Sequence, residues 1–306
     1  MEANDAVVRM VPIAGGATMM QLAGRTPGPT IALLGGVHGD ECEGVLAVRR
    51  VLAELSSAVE VRGVLRVVAP AHPAAWAADT RVSPIDGLNL ARCFPGDRSG
   101  RPTEVLAWGL ATQVIEGADL LIDLHSASEH NSAQLFCGYC EVGTCAEMSA
   151  CAARAFGAPM TWSHPSLPPG RTISAAVDRG IPAIYAEATG RGGATKPDLD
   201  AYRRGVLQVL SAWGMVHIPA SPRVAASRDV FGDGEGAEAP ADGFFVPSVE
   251  AGDLVSSDDL IGTFYEETRL APHEIRAPRT GAVMFLRHNA KTRKGESLFV
   301  LARMSR

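Results

Sequence analysis

Residues 29–37, Pro-Thr-Ile-Ala-Leu-Leu-Gly-Gly-Val, form an apolar run that ends in two glycines. Side chains alternate between the faces of a strand, so an unbroken apolar run reads as a strand buried on both sides. Such a strand needs helices above and below it, and the sequence supplies them. Residues 41–56 place Val45, Val48, Leu52 and Leu55 at helical spacing, with Asp40 as a candidate N-cap. Further strands are expected at 61–69, 118–124, 133–139 and 181–187. Further helices are expected at 103–116 (capped by Thr103), 142–156 and 198–213. Strands alternating with helices indicate an α/β domain with a largely parallel sheet.

The character changes after about residue 220. Residues 226–243, rich in Gly, Ala and acids, read as a linker or exposed loop. Beyond it lie short apolar segments punctuated by Gly, Asp and Pro, without helical periodicity. The division expected is a catalytic α/β domain over 1–221 and a small β-rich domain over 222–306. The polar, Pro- and Gly-rich stretch at 70–103 is too long for a simple connector, and loops of that length tend to carry function.

Composition narrows the functional classes. The formal net charge of −6 lacks the basic footprint that non-specific nucleic-acid binding needs. No apolar run reaches the roughly 18 residues of a membrane helix, and the first residues lack a signal-peptide pattern. The cytoplasm is therefore the expected compartment. Four of the six cysteines (Cys137, Cys140, Cys145, Cys151) crowd together without the second spaced pair of a structural zinc site, and read as reduced thiols.

The sharpest motif is Gly36-Val37-His38-Gly39-Asp40-Glu41, where the buried strand turns into a helix. Open α/β sheets bind ligands just beyond the carboxyl ends of their strands. A second piece, Asp123-Leu124-His125-Ser126, ends another apolar strand. His38, Glu41 and His125 together form an N/O/N set of the kind that holds zinc while leaving a fourth position for water. Asp123 falls on the same strand face as His125, where it would either orient that ligand or serve as a buried structural carboxylate. His130 and His164 are candidates to line the pocket.

HGDE followed at a distance by DLHS resembles the succinylglutamate desuccinylase and aspartoacylase family, zinc deacylases that share the zinc carboxypeptidase fold. The similarity extends to Arg81-Val-Ser-Pro-Ile-Asp-Gly-Leu-Asn-Leu-Ala-Arg92-Cys-Phe-Pro-Gly96, to Tyr185-Ala-Glu187-Ala-Thr-Gly190 and to the Gly- and Asp-punctuated C-terminal part. The resemblance implies a mixed sheet flanked by helices with a small all-β appendage, and one zinc ion per subunit. It makes Glu187 the general base and acid, and Arg81 the group that polarises the scissile carbonyl. Arg92 and Asn89 would bind substrate, Arg92 by its planar fork on a carboxylate. One departure stands out: Ala91 occupies the position where the family carries an asparagine before the second arginine. The appendage resembles lipoyl-type barrels but offers no lysine in a modification motif, so a structural or gating role is expected. Its exposed edges would allow a homo-oligomer.

The function implied is amide hydrolysis of a small N-acylated amino acid or amine, with no nucleic-acid or membrane partner. A metallocarboxypeptidase or peptide amidase would use the same metal chemistry. A non-catalytic binding module on this scaffold is the alternative from another class.

Overall fold

The computed structural model describes residues 7–57, 60–218, 227–269 and 271–304. A 13-stranded sheet runs through the molecule. Its spatial order begins Val7–Pro12, Thr18–Ala23, Arg62–Val68, Thr26–Gly35, Leu120–Ser126, Ala183–Ala188, Phe136–Cys140, Met160–His164. It continues through Arg228–Glu238, Ser297–Met304, Gly281–Arg287 and Leu254–Val255, with Asn131–Ala133 joining Gly281–Arg287 from the side. The central neighbours Arg62–Val68, Thr26–Gly35, Leu120–Ser126 and Ala183–Ala188 are parallel. Phe136–Cys140 is antiparallel to Ala183–Ala188, which makes the sheet mixed.

Helices cover both faces. On one side, Cys42–Ser57 and Lys196–Ala212 bury Val45, Val48, Leu55, Tyr202 and Val206 against Ile31, Leu33 and Ile122. On the other, Pro102–Gly109, its π-helical extension Leu110–Ile115, and Thr172–Val177 pack Leu106, Leu110 and Ile173 against Leu34 and Leu121. Leu33 and Leu34 therefore belong to opposite layers, which is why both positions are apolar. A third core, around Phe245, Phe264, Val283 and Leu298, fills the C-terminal strand-rich part, where a four-stranded sheet faces the end of the large one.

Three local expectations are corrected. The segment read as a linker holds a strand, Arg228–Glu238, parallel to Met160–His164 on one side and antiparallel to Ser297–Met304 on the other. Its glycines serve contact: a Cβ on Gly236 would lie 1.8 Å from the Phe299 carbonyl oxygen, and one on Gly234 2.5 Å from Val300. Low hydrophobicity there records a close backbone approach instead of a missing element. Asp40 does not cap the helix that follows it; its carboxylate accepts a hydrogen bond from Ser128. Thr103 is likewise no N-cap, since Arg101 holds that position before Pro102–Gly109. Asp86 does the work from the preceding loop, accepting from the Thr103 amide (2.9 Å) and hydroxyl (2.7 Å). The boundary expected at 221/222 lies outside the described residues.

Burial works against the Asp86 charge, but the bonds from Thr103 outweigh it and lower its pKa to about 2. A depressed carboxylate lends stability above its unfolded value and loses it as the pH falls through the folded one. Asp86→Ala is expected to cost about 1–2 kcal/mol at neutral pH, the scale of a lost helix cap. Thermal melts of parent and variant should converge as the pH is lowered from 5 towards 2 (roughly the window of that shift).

Candidate metal centre

The centre is built at the carboxyl ends of adjacent parallel strands. After Thr26–Gly35 the chain turns at Gly36 (φ +72°) and Gly39 before entering the helix at Cys42. Gly39 has no room for a side chain: a Cβ would sit 2.1 Å from the Ala75 carbonyl. That turn places His38 and Glu41 over the sheet edge. His125 stands at the end of the neighbouring strand, and the Tyr202 hydroxyl holds its carbonyl at 2.5 Å. In the register of the next strand, His125 lies opposite Glu187 and Asp123 opposite Tyr185.

His38, Glu41 and His125 are all buried, and one ligand atom from each lies within 4.8 Å of the others. Among the described residues this is the one group with such geometry. The tautomers follow from the outer contacts. His38 Nε2 lies 3.1 Å from Asn89 Oδ1, and His125 Nε2 lies 2.9 Å from Asp123 Oδ2. Asn89 Oδ1 and the Asp123 carboxylate only accept, so each Nε2 carries a proton. Both Nδ1 atoms are left facing the Glu41 carboxylate, at 2.8 Å from Oε1 and 3.0 Å from Oε2. With a proton on each Nδ1 the two rings hydrogen-bond Glu41; as free bases they bring two lone pairs and two carboxylate oxygens together around one point, which a cation would occupy. The donor set therefore suits a cation, and the bonds to Asn89 and Asp123 orient the ligands as is usual around zinc.

Glu41 also accepts from Arg81 Nη1 (2.8 Å) and from the Ser126 amide (3.1 Å). Burial would raise its pKa, but the neighbouring His38 and His125 hold it well below the usual range. For His125, burial works downwards, and Asp123 and Glu41 raise it well above its ordinary value. Glu187 is half-buried, and its Oε2 is withdrawn from solvent without a hydrogen-bond partner. Burial pushes its pKa up to about 8, a rise that the charge of His125 only partly offsets. A carboxyl poised near neutrality both takes and gives a proton readily.

The arginines crowd. Burial and then the charges of Arg171 and Arg81 lower the Arg92 pKa. Arg92 bonds to its neighbour's carbonyl through Nη1 (2.8 Å), and Arg171 Nε is buried without a partner. Like charges gathered in this way suit an anion. Arg171 is the residue that sequence reading missed. Gly170 (φ +88°) packs on the Arg92 carbonyl and accepts from the Phe94 amide at 3.0 Å, which draws two loops distant in sequence together. The adjacent Thr172 hydroxyl donates to Asp123, so the same turn also touches the ligand support. The signal available was the turn Pro-Pro-Gly-Arg at 168–171.

The remaining candidates take other places. Asn89 uses its amide oxygen on His38 and on the Ala91 amide (2.9 Å), which leaves its nitrogen for a substrate. His164 is buried, and its Nε2 shares a hydrogen bond with the Tyr185 hydroxyl at 2.7 Å. Burial, then the charge of Arg171, depress its pKa to about 4, so its ring is neutral at pH 7. His130 turns to Glu129 (3.1 Å) in an exposed pair. Cys137 is buried and its thiol pushed far up, and all six cysteines are free.

Residues 27–213 match the family model described as the succinylglutamate desuccinylase/aspartoacylase catalytic domain. The chain belongs to the succinylglutamate desuccinylase/aspartoacylase family. Among curated relatives of this family member is the N-alpha-acetyl-L-2,4-diaminobutyric acid deacetylase of Halomonas elongata, 32% identical over 288 residues, which span 91% of this chain and 83% of that one. A succinylglutamate desuccinylase/aspartoacylase structure from Rhodobacter sphaeroides superposes with a TM-score of 0.87 at 26% identity, covering 99% of this chain and 95% of the other. The product-bound ectoine utilization protein EutE from Ruegeria pomeroyi gives 0.87 at 26% identity, over 94% and 89%. The mixed sheet, the flanking helices and the strand-rich C-terminal part are those of the family fold.

Proposed function

We propose that this chain is a zinc-dependent deacylase that hydrolyses the amide of a small N-acylated amino acid. The observation that carries the reading is the buried cluster of His38, Glu41 and His125, whose ligand atoms lie within 4.8 Å of one another, with the unpartnered Glu187 carboxyl on the next strand. His38, Glu41 and His125 would hold the ion, which when bound supplies Lewis acidity to the scissile carbonyl and makes a water easier to deprotonate. Glu187 takes the water proton and passes it to the departing amine. Arg81, fixed by Glu41, supports negative charge developing on the carbonyl oxygen. Arg92 and Arg171 receive the substrate carboxylate, a task for which two guanidinium forks compensate for Ala91. The relative that deacetylates an N-acetylated diamino acid supports the substrate class.

The test is metal content and turnover on a panel of N-acetyl and N-succinyl amino acids. Dialysis against a chelator should abolish hydrolysis, and one equivalent of zinc should restore it. Full activity in protein stripped of metal would overturn the reading. Arg171→Ala should raise KM for a carboxylate-bearing substrate about tenfold or more, the scale of a charged hydrogen bond, with a smaller change in kcat.

A further inference from the structure

A cavity of about 390 Å³ opens where the segments that follow the His125 and Glu187 strands meet the strand-rich part. Its lining includes Ser132, Arg191, Glu250, Asp253, Leu286 and Arg287. The clustered ligands, Glu187 and the arginines of the metal centre take no part in it. The volume falls in the range of small-molecule sites.

Three stretches of chain frame the cavity. Arg191, just past Glu187, stands in a left-handed conformation (φ +67°), and its amide donates to the Asn131 carbonyl at 3.1 Å. The second stretch is the ladder that pairs Leu286 with Ser132 and Arg287 with Asn131. The third is the turn at 248–253. The Glu250 amide closes it on Asp253 Oδ2 (2.8 Å), and the Gly252 amide ties it to the Val283 carbonyl (2.7 Å). Gly252 also seats the turn on the segment after Asn131–Ala133, since a Cβ there would lie 2.9 Å from Gln134 Oε1.

The charges along this lining are of two kinds. Arg287 is committed: its side chain is only 7% exposed, Nη2 meets Glu296 and the Lys291 carbonyl at 2.8 Å, and Nε meets the Asn289 carbonyl at 3.0 Å. It makes a rigid, buried part of the lining. The Arg191 and Glu250 side chains form no hydrogen bond or ion pair among the described residues, with each other included. One guanidinium and one carboxylate thus line the same space without neutralising each other. A ligand that carries both charges satisfies both, its carboxylate on the guanidinium fork and its ammonium on the carboxylate. The zwitterion of a free α-amino acid is a small ligand of that kind. An N-acylated amino acid is not, because its nitrogen is an amide and offers no ammonium.

We propose that this cavity is a binding site for a free α-amino acid, with Arg191 on its carboxylate and Glu250 on its ammonium. The site lies apart from the metal centre. It accepts the kind of molecule that deacylation releases and refuses the kind that deacylation consumes.

Titration calorimetry on the full chain tests the assignment with L-alanine, L-leucine and L-glutamine. Each is compared with the carboxylic acid that lacks its ammonium and the amine that lacks its carboxylate (for alanine, propionate and ethylamine). At least one amino acid should bind about tenfold or more tightly than both of its analogues, the scale of a charge-assisted hydrogen bond. Glu250→Gln and Arg191→Gln should each weaken that amino acid by about threefold or more and leave its affinity closer to that of the analogues. Both side chains are exposed, so neither change threatens the fold. Arg171→Ala, at the metal centre, should leave the affinity unchanged. Absence of binding by all three amino acids overturns the proposal, as does equal binding of an amino acid and its analogues. Affinity that survives both cavity variants and falls in Arg171→Ala places the amino acid at the metal centre and overturns it too. None of these readouts involves turnover, so a chain that hydrolyses no acylated amino acid would sink the deacylase reading and leave this one standing.

Discussion

Glu187→Gln will keep its metal and lose about 10²- to 10⁴-fold in kcat, the contribution expected of a positioned general base. Glutamine preserves the volume of a half-buried side chain on the strand Ala183–Ala188, so folding is not at stake. Glu187 is not one of the clustered ligand atoms, so metal content should stay at parity with the parent. Substitution also removes a carboxyl whose burial raises its pKa to about 8, and burying an amide costs no ionisation. The variant should therefore melt no lower than the parent near neutral pH. Stopped hydrolysis, metal content by atomic emission and melting temperature together check the claim. Parental kcat in a metal-replete variant would remove Glu187 from the mechanism.

The second large effect belongs to the ligands. His125→Ala should lose stoichiometric zinc and bring turnover to background, since catalysis and metal retention both depend on that imidazole. The cost to stability is harder on this variant than on most. It leaves the Glu41 carboxylate facing one fewer partner and Asp123 without its ring N–H, both fully withdrawn from solvent. Removing one member of a buried charged pair costs about 3–5 kcal/mol. His125→Asn, which keeps a donor and a smaller polar body, separates the two effects: it should recover much of the stability and little of the metal. Equal zinc content in parent and both variants would show that the ion, if bound, sits elsewhere.

The sequence made the candidate ligand cluster legible because its parts are local. His38 and Glu41 share one turn, and His125 ends a strand whose apolar run announces itself. The alternation that puts Asp123 and His125 on one face is a period of two, readable without a fold. The layers were legible for the same reason, since Leu33 and Leu34 must each find apolar cover. Arg171 was not, because its nearness to Arg92 depends on a contact between Gly170 and a loop far back in the chain. Asp86 was missed as a cap because capping patterns search the residue next to the helix, and this one reaches in from a loop. Asp40 was misassigned for the converse reason: it stands beside a helix start, and a more distant partner, Ser128, claims its side chain. The strand Arg228–Glu238 was hidden by composition, since its glycines answer to the backbone of Ser297–Met304.

That strand also decides how the molecule comes apart. Met160–His164 finds its outer partner in Arg228–Glu238, and Asn131–Ala133, which follows the His125 strand, finds its partner in Gly281–Arg287. Cutting the chain near residue 221 would strip both ladders and bare the edge beside Trp162, whose indole donates to the Gly232 carbonyl at 2.8 Å. An unpaired interior strand recruits other chains. The shortened protein should precipitate or bind an apolar dye, and the full chain should melt in one calorimetric transition with no plateau between its two ends. The strands that carry the candidate site would then have no folding unit of their own to retreat to, and damage to the distal strand-rich part would be felt at His38, Glu41 and His125.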